Sequence, residues 1–155
     1  MGTRSTIALE FADGTVEQVY CHWDGYLEHN GAILAEHYSN PFKLRDLIDL
    51  GDMSSLRPEI GEKHAFSQFE LRAEEVAGYK LLTEDWCTFY GRDRNESGCE
   101  ARKYKNADEY FDCSQQEEYD YILRTDGVWY VRCYTTDGKW LTMAEAKATQ
   151  AECTA

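Results

Sequence analysis

The sequence has few basic residues, few prolines and no long apolar run. It contains 155 residues, with 16 Lys and Arg against 29 Asp and Glu, so its formal net charge is −13. This shortage of positive charge argues against binding to nucleic-acid backbones or anionic membrane surfaces, because both associations depend on cationic side chains. With 2 prolines and 43% hydrophobic residues, the chain is too apolar for a disordered acidic tail. We expect one folded, acidic domain over residues 1–155.

Export and metal-binding signals are also missing. No stretch approaches the roughly 20 apolar residues of a membrane span, and residues 1–30 show no secretion signal. We therefore expect a cytosolic protein that contacts no membrane. The 6 cysteines form no C-x-x-C pair, so reduced thiols are the default. No Cys and His pair has the spacing of metal ligands, and the sequence predicts no metal and no cofactor.

The first half of the chain alternates strand and helix signals. Ser5–Phe11 and Val16–Trp23 are rich in β-branched and aromatic residues and flank an Asp-Gly turn, which predicts a hairpin. Neither face of the second strand is cleanly polar, so we expect both faces to be covered. Capping residues and helical spacing then predict two short helices before a long loop. These segments are 30–38 and 41–50 for the helices and 52–69 for the loop.

The second half predicts a helix, a strand pair and a β-meander. The pair joins residues 86–90 to 99–105 around a polar loop, and Gly turns separate the three meander strands. The sequence thus predicts an α+β domain whose antiparallel sheet combines the N-terminal hairpin with the C-terminal meander under short helices. The remaining predictions are a helix over 70–82 interrupted at Gly78, a capped turn over 106–113, meander strands at 119–124, 128–134 and 139–143, and a frayed tail over 144–155.

Residues 21–31 concentrate the residue types of a ligand site. Two histidines, an aspartate, an amide and two large aromatics fall at a strand end, a glycine bend and a helix start. Aromatic walls stack planar rings, while a few polar groups fix orientation. A structural interpretation competes, in which the aromatics fill the core, Asp24 and Gly25 form a turn, and Asn30 caps the helix. The candidate ligand-binding residues are His22, Trp23, Asp24, Tyr26, His29 and Asn30.

Two arginines flank Asp93 just after a predicted strand. Arg92 and Arg94 can present planar guanidinium forks to a phosphate or carboxylate, and such a cluster is unusual in a chain with so few basic residues. The competing interpretation is that these arginines neutralise neighbouring acids such as Glu96 and Glu100. We include Arg92 and Arg94 in the candidate ligand site.

Acidic residues cluster between positions 70 and 120. If several share one face at the spacing of phosphates, they could imitate a nucleic acid and occupy the basic groove of a protein. The alternative is a solvated surface that keeps the protein soluble. The candidate residues of this acidic mimic surface are Glu109, Asp112, Glu117, Glu118 and Asp120.

Four segments resemble the motifs of a widespread family of small bacteriophage and prophage proteins. These segments are 20–26, 28–31, 51–56 and 89–94, and the similarity extends over about residues 1–95. The resemblance implies an accessory protein that acts in the host bacterial cytoplasm, where small non-catalytic phage products often neutralise defences. It assigns no individual residue a role.

Two hypotheses follow from these observations. The preferred one is a non-enzymatic counter-defence protein that sequesters a small nucleotide-like signal, since the motifs carry aromatic, His, Asp, Asn and Arg residues. A homodimer is compatible with it, because sequestering proteins often build ligand sites between identical subunits. The alternative is an acidic inhibitor that mimics nucleic acid and binds a basic host protein of a CRISPR or restriction complex. An enzyme that degrades the signal is a third, minor alternative.

Overall fold

A computed structural model describes residues 2–113 and 117–154 of the chain. These residues form a mixed sheet of eight strands with helices on both of its faces, which confirms the predicted α+β class. The strands are β1 (Ser5–Glu10), β2 (Val16–Cys21), β3 (Met53–Ser55), β4 (Thr88–Phe89), β5 (Arg102–Tyr104), β6 (Tyr119–Leu123), β7 (Trp129–Cys133) and β8 (Leu141–Thr142). The α-helices are α1 (Ala32–His37), α2 (Pro41–Asp49), α3 (Val76–Asp85), α4 (Tyr90–Arg94), α5 (Ala107–Cys113) and α6 (Met143–Thr154).

The locally encoded elements form as predicted. β1 and β2 pair as an antiparallel hairpin, and β6, β7 and β8 form the antiparallel meander. Helices α1 and α2 occupy the predicted positions, and the Asn40 side chain caps α2 by accepting from the Phe42 N–H at 2.9 Å. Between β2 and α1, residues Leu27–Gly31 form a single π-helical turn.

The sheet is mixed, so the prediction of an antiparallel sheet is wrong in two places. The strand order is β4-β3-β2-β1-β6-β7-β8, and β5 pairs with β2 beside β3. The hairpin joins the meander through a parallel pairing of β1 with β6, and β2 joins β3 in parallel as well. Ladder polarity between distant segments depends on the path of the connecting chain, which hydrophobic alternation does not report.

The predicted pairing of residues 86–90 with 99–105 is also wrong. β4 pairs with β3, and β5 pairs with β2. The cause is helix α4, which replaces the first half of the predicted loop over 91–98 and redirects the chain. Asn95 ends this helix in the left-handed region at φ 57°. β3 likewise lies inside the predicted loop over 52–69.

Two further helices complete the fold. Gly78 lies inside α3 and does not interrupt it, contrary to the prediction. In the tail over 144–155, helix α6 extends to Thr154, and residue 155 lies outside the described residues; fraying of this tail stays a prediction. Met143 and Ala146 attach this helix, because both are buried in the main core.

The central strands are buried on both faces, as the predicted pattern of β2 indicates. On one face, Ile7, Leu9 and Val19 pack into the main core with side chains from α1, α2 and α6. On the other face, Ala8 and Ile122 join a smaller core under α5. Near the C-terminal end of β2, the side chains on this second face are polar and aromatic, and the apolar layer ends.

Candidate functional site

Three of the four family-like segments meet in neighbouring strands. β2, β3 and β4 are adjacent at one side of the sheet. The His22 N–H donates to the Met53 carbonyl at 3.1 Å, the Trp23 N–H donates to the Ser54 carbonyl at 3.0 Å, and Met53 pairs with Phe89. Segments 20–26, 51–56 and 89–94 therefore form one continuous region.

Alternation along these strands sorts their side chains between the two faces of the sheet. Met53 and Phe89 point into the main core, so Ser54 and Tyr90 are presented on the second face. Tyr20 and His22 occupy the same face of β2, and their side chains are hydrogen-bonded to each other. Because Ser5 pairs with Cys21, Arg4 lies opposite His22 on this face. We call Arg4, Tyr20, His22, Ser54 and Tyr90 the open face.

A hydrogen bond links two residues of the open face. The Tyr20 hydroxyl and His22 Nδ1 are 2.7 Å apart. Burial raises the pKa of Tyr20 to about 12, although the Arg4 guanidinium opposes this shift. Burial also raises the pKa of Tyr90 above its ordinary value. Both phenols are therefore neutral hydrogen-bonding groups near pH 7 and unsuited to act as bases.

Aromatic rings and a cation form the rim of the open face. The Arg94 guanidinium lies over the rings of Tyr90 and Phe66, at 4.9 Å and 4.5 Å from their centroids. Its N–H groups donate to Glu96, which confirms the competing interpretation for this arginine. Trp23 is 41% exposed and packs edge-on to the His22 ring, with 4.8 Å between the ring centroids. Trp23 is therefore not a core residue.

Arg4 is the functional candidate that sequence reasoning missed. Its side chain is exposed, and within the described parts of the chain its guanidinium has no hydrogen bond or ion pair. The Glu117 carboxyl lies near enough to interact electrostatically with Arg4, which lowers the pKa of Glu117, but burial is the larger effect and raises it. The observed hairpin register identifies Arg4, because it places that residue opposite His22, whereas the predicted strand bounds did not fix this register.

Asn30 lies on the opposite side of the sheet from His22 and is fully buried. Its Nδ2 donates to Ser5 Oγ and to the Trp23 carbonyl, both at 3.2 Å, and to Cys21 Sγ at 3.4 Å. It does not cap a helix through its side chain. It instead joins the ends of β1 and β2, and a buried amide with these partners has little capacity left for a ligand.

The other predicted residues of segment 21–31 are separated from the open face. His29 Nδ1 and Asn30 Oδ1 are 2.9 Å apart, so His29 follows Asn30 to the main-core side of the sheet, and the Tyr26 ring lies 6.0 Å from the His29 ring. Asp24 adopts a left-handed φ of 56°. A Cβ on Gly25 would lie 2.8 Å from Ser5 Cβ, which is too close. The chain therefore changes direction tightly around residues 24–25, with bends assigned at residues 23 and 26.

Arg92 is a structural residue, which contradicts its assignment as an anion contact. Its Nε and one terminal nitrogen donate to both Asp93 carboxylate oxygens. The remaining N–H groups donate to the backbone carbonyls of Ile60, Gly61 and Cys87, at distances between 2.9 and 3.1 Å. A guanidinium has five N–H donors, so Arg92 has none left for a ligand.

Asp93 completes the anchor that Arg92 forms. Its side chain is fully buried and accepts from the backbone N–H groups of His64 at 3.1 Å and Phe89 at 2.8 Å. The His64 ring nitrogens lie 2.7 Å from the Ala65 carbonyl and 2.8 Å from the Cys87 carbonyl. The pair of Arg92 and Asp93 thus holds the long segment around residues 60–65 against β4 and α4.

The acidic mimic surface loses one member, and exposed carboxylates also occur on other elements of the fold. Asp120 is 1% exposed and is paired with Arg132 at 3.2 Å and with Thr6 at 2.6 Å. Burial raises the pKa of this carboxyl. Glu117 and Glu109 are half-buried, whereas Glu118 and Asp112 are exposed. Other exposed carboxylates lie on α2, near α3 and on α6; examples are Asp46, Asp49, Glu74, Glu75, Glu84, Glu145 and Glu152.

None of the predicted ligand-site residues lines one of the three cavities found in the structure. Cavities of about 490, 440 and 100 Å³ are lined by other residues. Within residues 2–113 and 117–154, no cluster of His, Cys, Asp and Glu could hold a metal ion. Over the same residues, no helix combines the length and apolarity that crossing a bilayer requires.

No protein-family model, curated protein or solved structure matches the chain.

Proposed function

We propose that this protein is a non-enzymatic binding protein that holds a small, planar, anionic molecule of nucleotide type on the open face. The observation that carries the proposal is the position of the exposed Arg4 guanidinium on the same face as Tyr20 and His22, beside the rim formed by Arg94 and the aromatic rings. A cation with free N–H donors attracts phosphate or carboxylate oxygens, and exposed rings stack a heterocycle.

The residues divide these tasks. Trp23, at 41% exposure, offers a stacking surface, and a base stacked on an aromatic side chain gains about 1–3 kcal/mol. The Arg4 guanidinium supplies the anion contact. The hydroxyl of Tyr20 and the ring of His22 supply orienting hydrogen bonds, because both groups can donate and accept.

The chemistry of the face favours binding over turnover. Nucleophilic catalysis needs a thiolate or an activated hydroxyl, and the nearest thiol, Cys21, is buried, which raises its pKa to about 12. Tyr20 has a similarly raised pKa and is a poor base at neutral pH. The scattered exposed carboxylates and the buried position of Asp120 favour this proposal over nucleic-acid mimicry.

The resemblance to small phage proteins supports a proposal about the biological role of this binding. A phage product that binds a nucleotide without hydrolysing it would sequester a host immune signal in the bacterial cytoplasm. The acidic charge suits this role, since a protein of net charge −13 stays soluble and avoids nucleic acids.

Isothermal titration calorimetry against a panel of cyclic dinucleotides and ADP-ribose derivatives tests the proposal. We expect one panel member to bind, and Arg4→Ala, Arg94→Ala or Trp23→Ala each to weaken it. Matched controls are Arg72→Ala and Phe69→Ala, because Arg72 is an exposed arginine and Phe69 is 90% exposed, both outside the open face. Flat titrations with every member contradict the proposal, as does binding that the three variants leave unchanged. Conversion of the bound nucleotide, followed by mass spectrometry, would instead identify an enzyme.

A further inference from the structure

The largest cavity described above lies at the opposite end of β1 from Arg4. Its volume is about 490 Å³, which is within the usual range for small-molecule sites. It is independent of the open face, because its lining comes from the C-terminal end of β1, the C-terminal end of β6 and the first turns of α2. We call it the hairpin groove, defined by Leu9, Phe11, Phe42, Arg45, Leu123 and Arg124.

Sheet topology explains why a cavity forms there. β1 and β6 run parallel, with Leu9 beside Leu123. From this pair, β1 continues by a turn into β2 on one side, and β6 continues by a turn into β7 on the other. Two hairpins that leave adjacent parallel strands in opposite directions open a crevice beyond the carboxyl ends of those strands. The groove is thus placed like the crevices of doubly wound α/β sheets, where ligands bind beyond the carboxyl ends of parallel strands.

Apolar and aromatic side chains line the groove. Leu9 and Leu123 form its floor, at 3% and 1% exposure. Phe11 and Phe42 form its walls, and Phe42 remains 79% exposed on the first turn of α2. Phe42 therefore extends the apolar lining of the groove to the protein surface, and small-molecule sites are usually concave and lined by such side chains.

The charges at the rim select the kind of molecule. The Arg45 side chain is 63% exposed, and its guanidinium lies 5.7 Å from the centroid of the Phe11 ring. Its only ion pair within the described residues is a 4.0 Å contact with Asp49, which is 58% exposed. Arg124 donates to both carboxylate oxygens of Glu10 at 3.2 Å, so the charges of these two side chains compensate each other. The groove therefore retains one exposed cation beside two aromatic rings, in a protein that is otherwise strongly acidic.

We propose that the hairpin groove is a second ligand site, which binds a small aromatic anion. The ring system of the ligand lies on Leu9 and Leu123 between Phe11 and Phe42, and its carboxylate or sulfonate faces Arg45. This arrangement buries apolar surface on both partners and leaves the anionic group at the solvent-exposed rim, where desolvation costs little.

Fluorescence titration with 1-anilinonaphthalene-8-sulfonate, an aromatic anion, tests the site in the full-length protein. We expect saturable one-site binding that Phe42→Glu weakens about tenfold or more, since it removes an aromatic contact and adds a repelling charge. Arg45→Glu should weaken binding about threefold or more, with a larger effect at low salt. The controls Phe69→Glu and Arg72→Glu make the same charge changes outside the groove. The uncharged analogue N-phenyl-1-naphthylamine should bind more weakly than the sulfonate.

Amide chemical shifts measured during the same titration locate the bound probe. The largest changes should fall on Phe11, Phe42, Thr125 and Gly127, which all line the groove. The proposal is overturned by a titration that does not saturate, by equal weakening in the control variants, or by shift changes centred on exposed apolar residues outside the groove, such as Phe69, Leu81 or Trp23 of the open face. Phe42 and Arg45 are exposed, so their replacement should leave the fold intact, and the far-ultraviolet circular dichroism spectrum checks this.

Discussion

Arg92→Ala tests whether the arginine pair of residues 92 and 94 serves structure or ligand binding. The Arg92 side chain is 12% exposed, and its partner Asp93 is fully buried. Removal of the guanidinium leaves the Asp93 carboxylate with the backbone N–H groups of His64 and Phe89 as its close donors. It also removes every hydrogen bond that Arg92 makes to the segment around residues 60–61.

The expected loss of stability is large. A buried ion pair that loses one partner costs about 3–5 kcal/mol, because the remaining charge stays buried without its counter-ion. For a chain of this size, each kcal/mol corresponds to about 2–4 °C in melting temperature. Arg92→Ala should therefore lower the melting temperature by about 6–20 °C. An anion contact on the surface would instead leave the melting temperature nearly unchanged.

Calorimetric melting and urea unfolding measure this effect, and Arg94→Ala is the matched control. Arg94 is 48% exposed, and its ion pair with Glu96 is solvent-accessible, so its removal should change stability little. Arg92→Lys should fall between the wild type and Arg92→Ala, because lysine keeps the charge but not the planar fork. Local loosening should also accelerate tryptic cleavage after Lys63, which is exposed in the anchored segment. Equal melting temperatures for Arg92→Ala and Arg94→Ala would refute the structural role.

Two further predictions concern ionisable groups. Burial raises the pKa of Glu10, but hydrogen bonds from Arg124 and Thr125 outweigh it, so the net pKa lies below the ordinary value of 4.5. Its carboxylate therefore stabilises the fold above pH 4.5 and loses this contribution as pH falls through its lowered pKa. Urea unfolding at a series of pH values measures this contribution. The difference in unfolding free energy between the wild type and Glu10→Gln should shrink as pH falls below 4.5. A difference that stays constant would contradict a stabilising ion pair between Glu10 and Arg124. The second prediction concerns alkylation of the native protein with iodoacetamide, mapped by mass spectrometry. The half-exposed Cys99 should be modified well before Cys21, because burial protects Cys21 and raises its pKa to about 12. Modification of Cys21 at the same rate would contradict its buried position.

Local signals made part of the fold predictable. The Asp-Gly turn at 13–14 and the glycine turns of the meander specify antiparallel neighbours over short distances, and those pairings are correct. The parallel pairing of β1 with β6 joins residues 114 positions apart, such as Ser5 and Tyr119. No periodicity encodes such a choice, because both polarities bury the same alternating residues.

The same limit applies to the site. The residue types made Trp23, His22 and Arg94 candidates, because these chemistries are visible in the sequence. They did not decide whether Trp23 is exposed or fills the core, and the structure shows it 41% exposed beside the His22 ring. The sequence could not separate Arg92 from Arg94. The carbonyls of Ile60 and Cys87 meet Arg92 only in the folded chain, and they decide that Arg92 is structural.

Most polar side chains of the family-like segments discussed above stabilise the fold around the open face and are not placed to contact a ligand. Asn30 joins the ends of β1 and β2, and Asp93 anchors the segment around residue 64. Asp52 accepts from the Tyr20 N–H at 2.9 Å and from Arg102 at 2.6 Å, which fixes β2 beside the start of β3. Each of these polar side chains satisfies donors inside the protein, and each lies near a residue of the open face or its rim. Substitution of any one of them should therefore disturb binding through geometry, with a loss of stability that substitution of Arg4 does not cause.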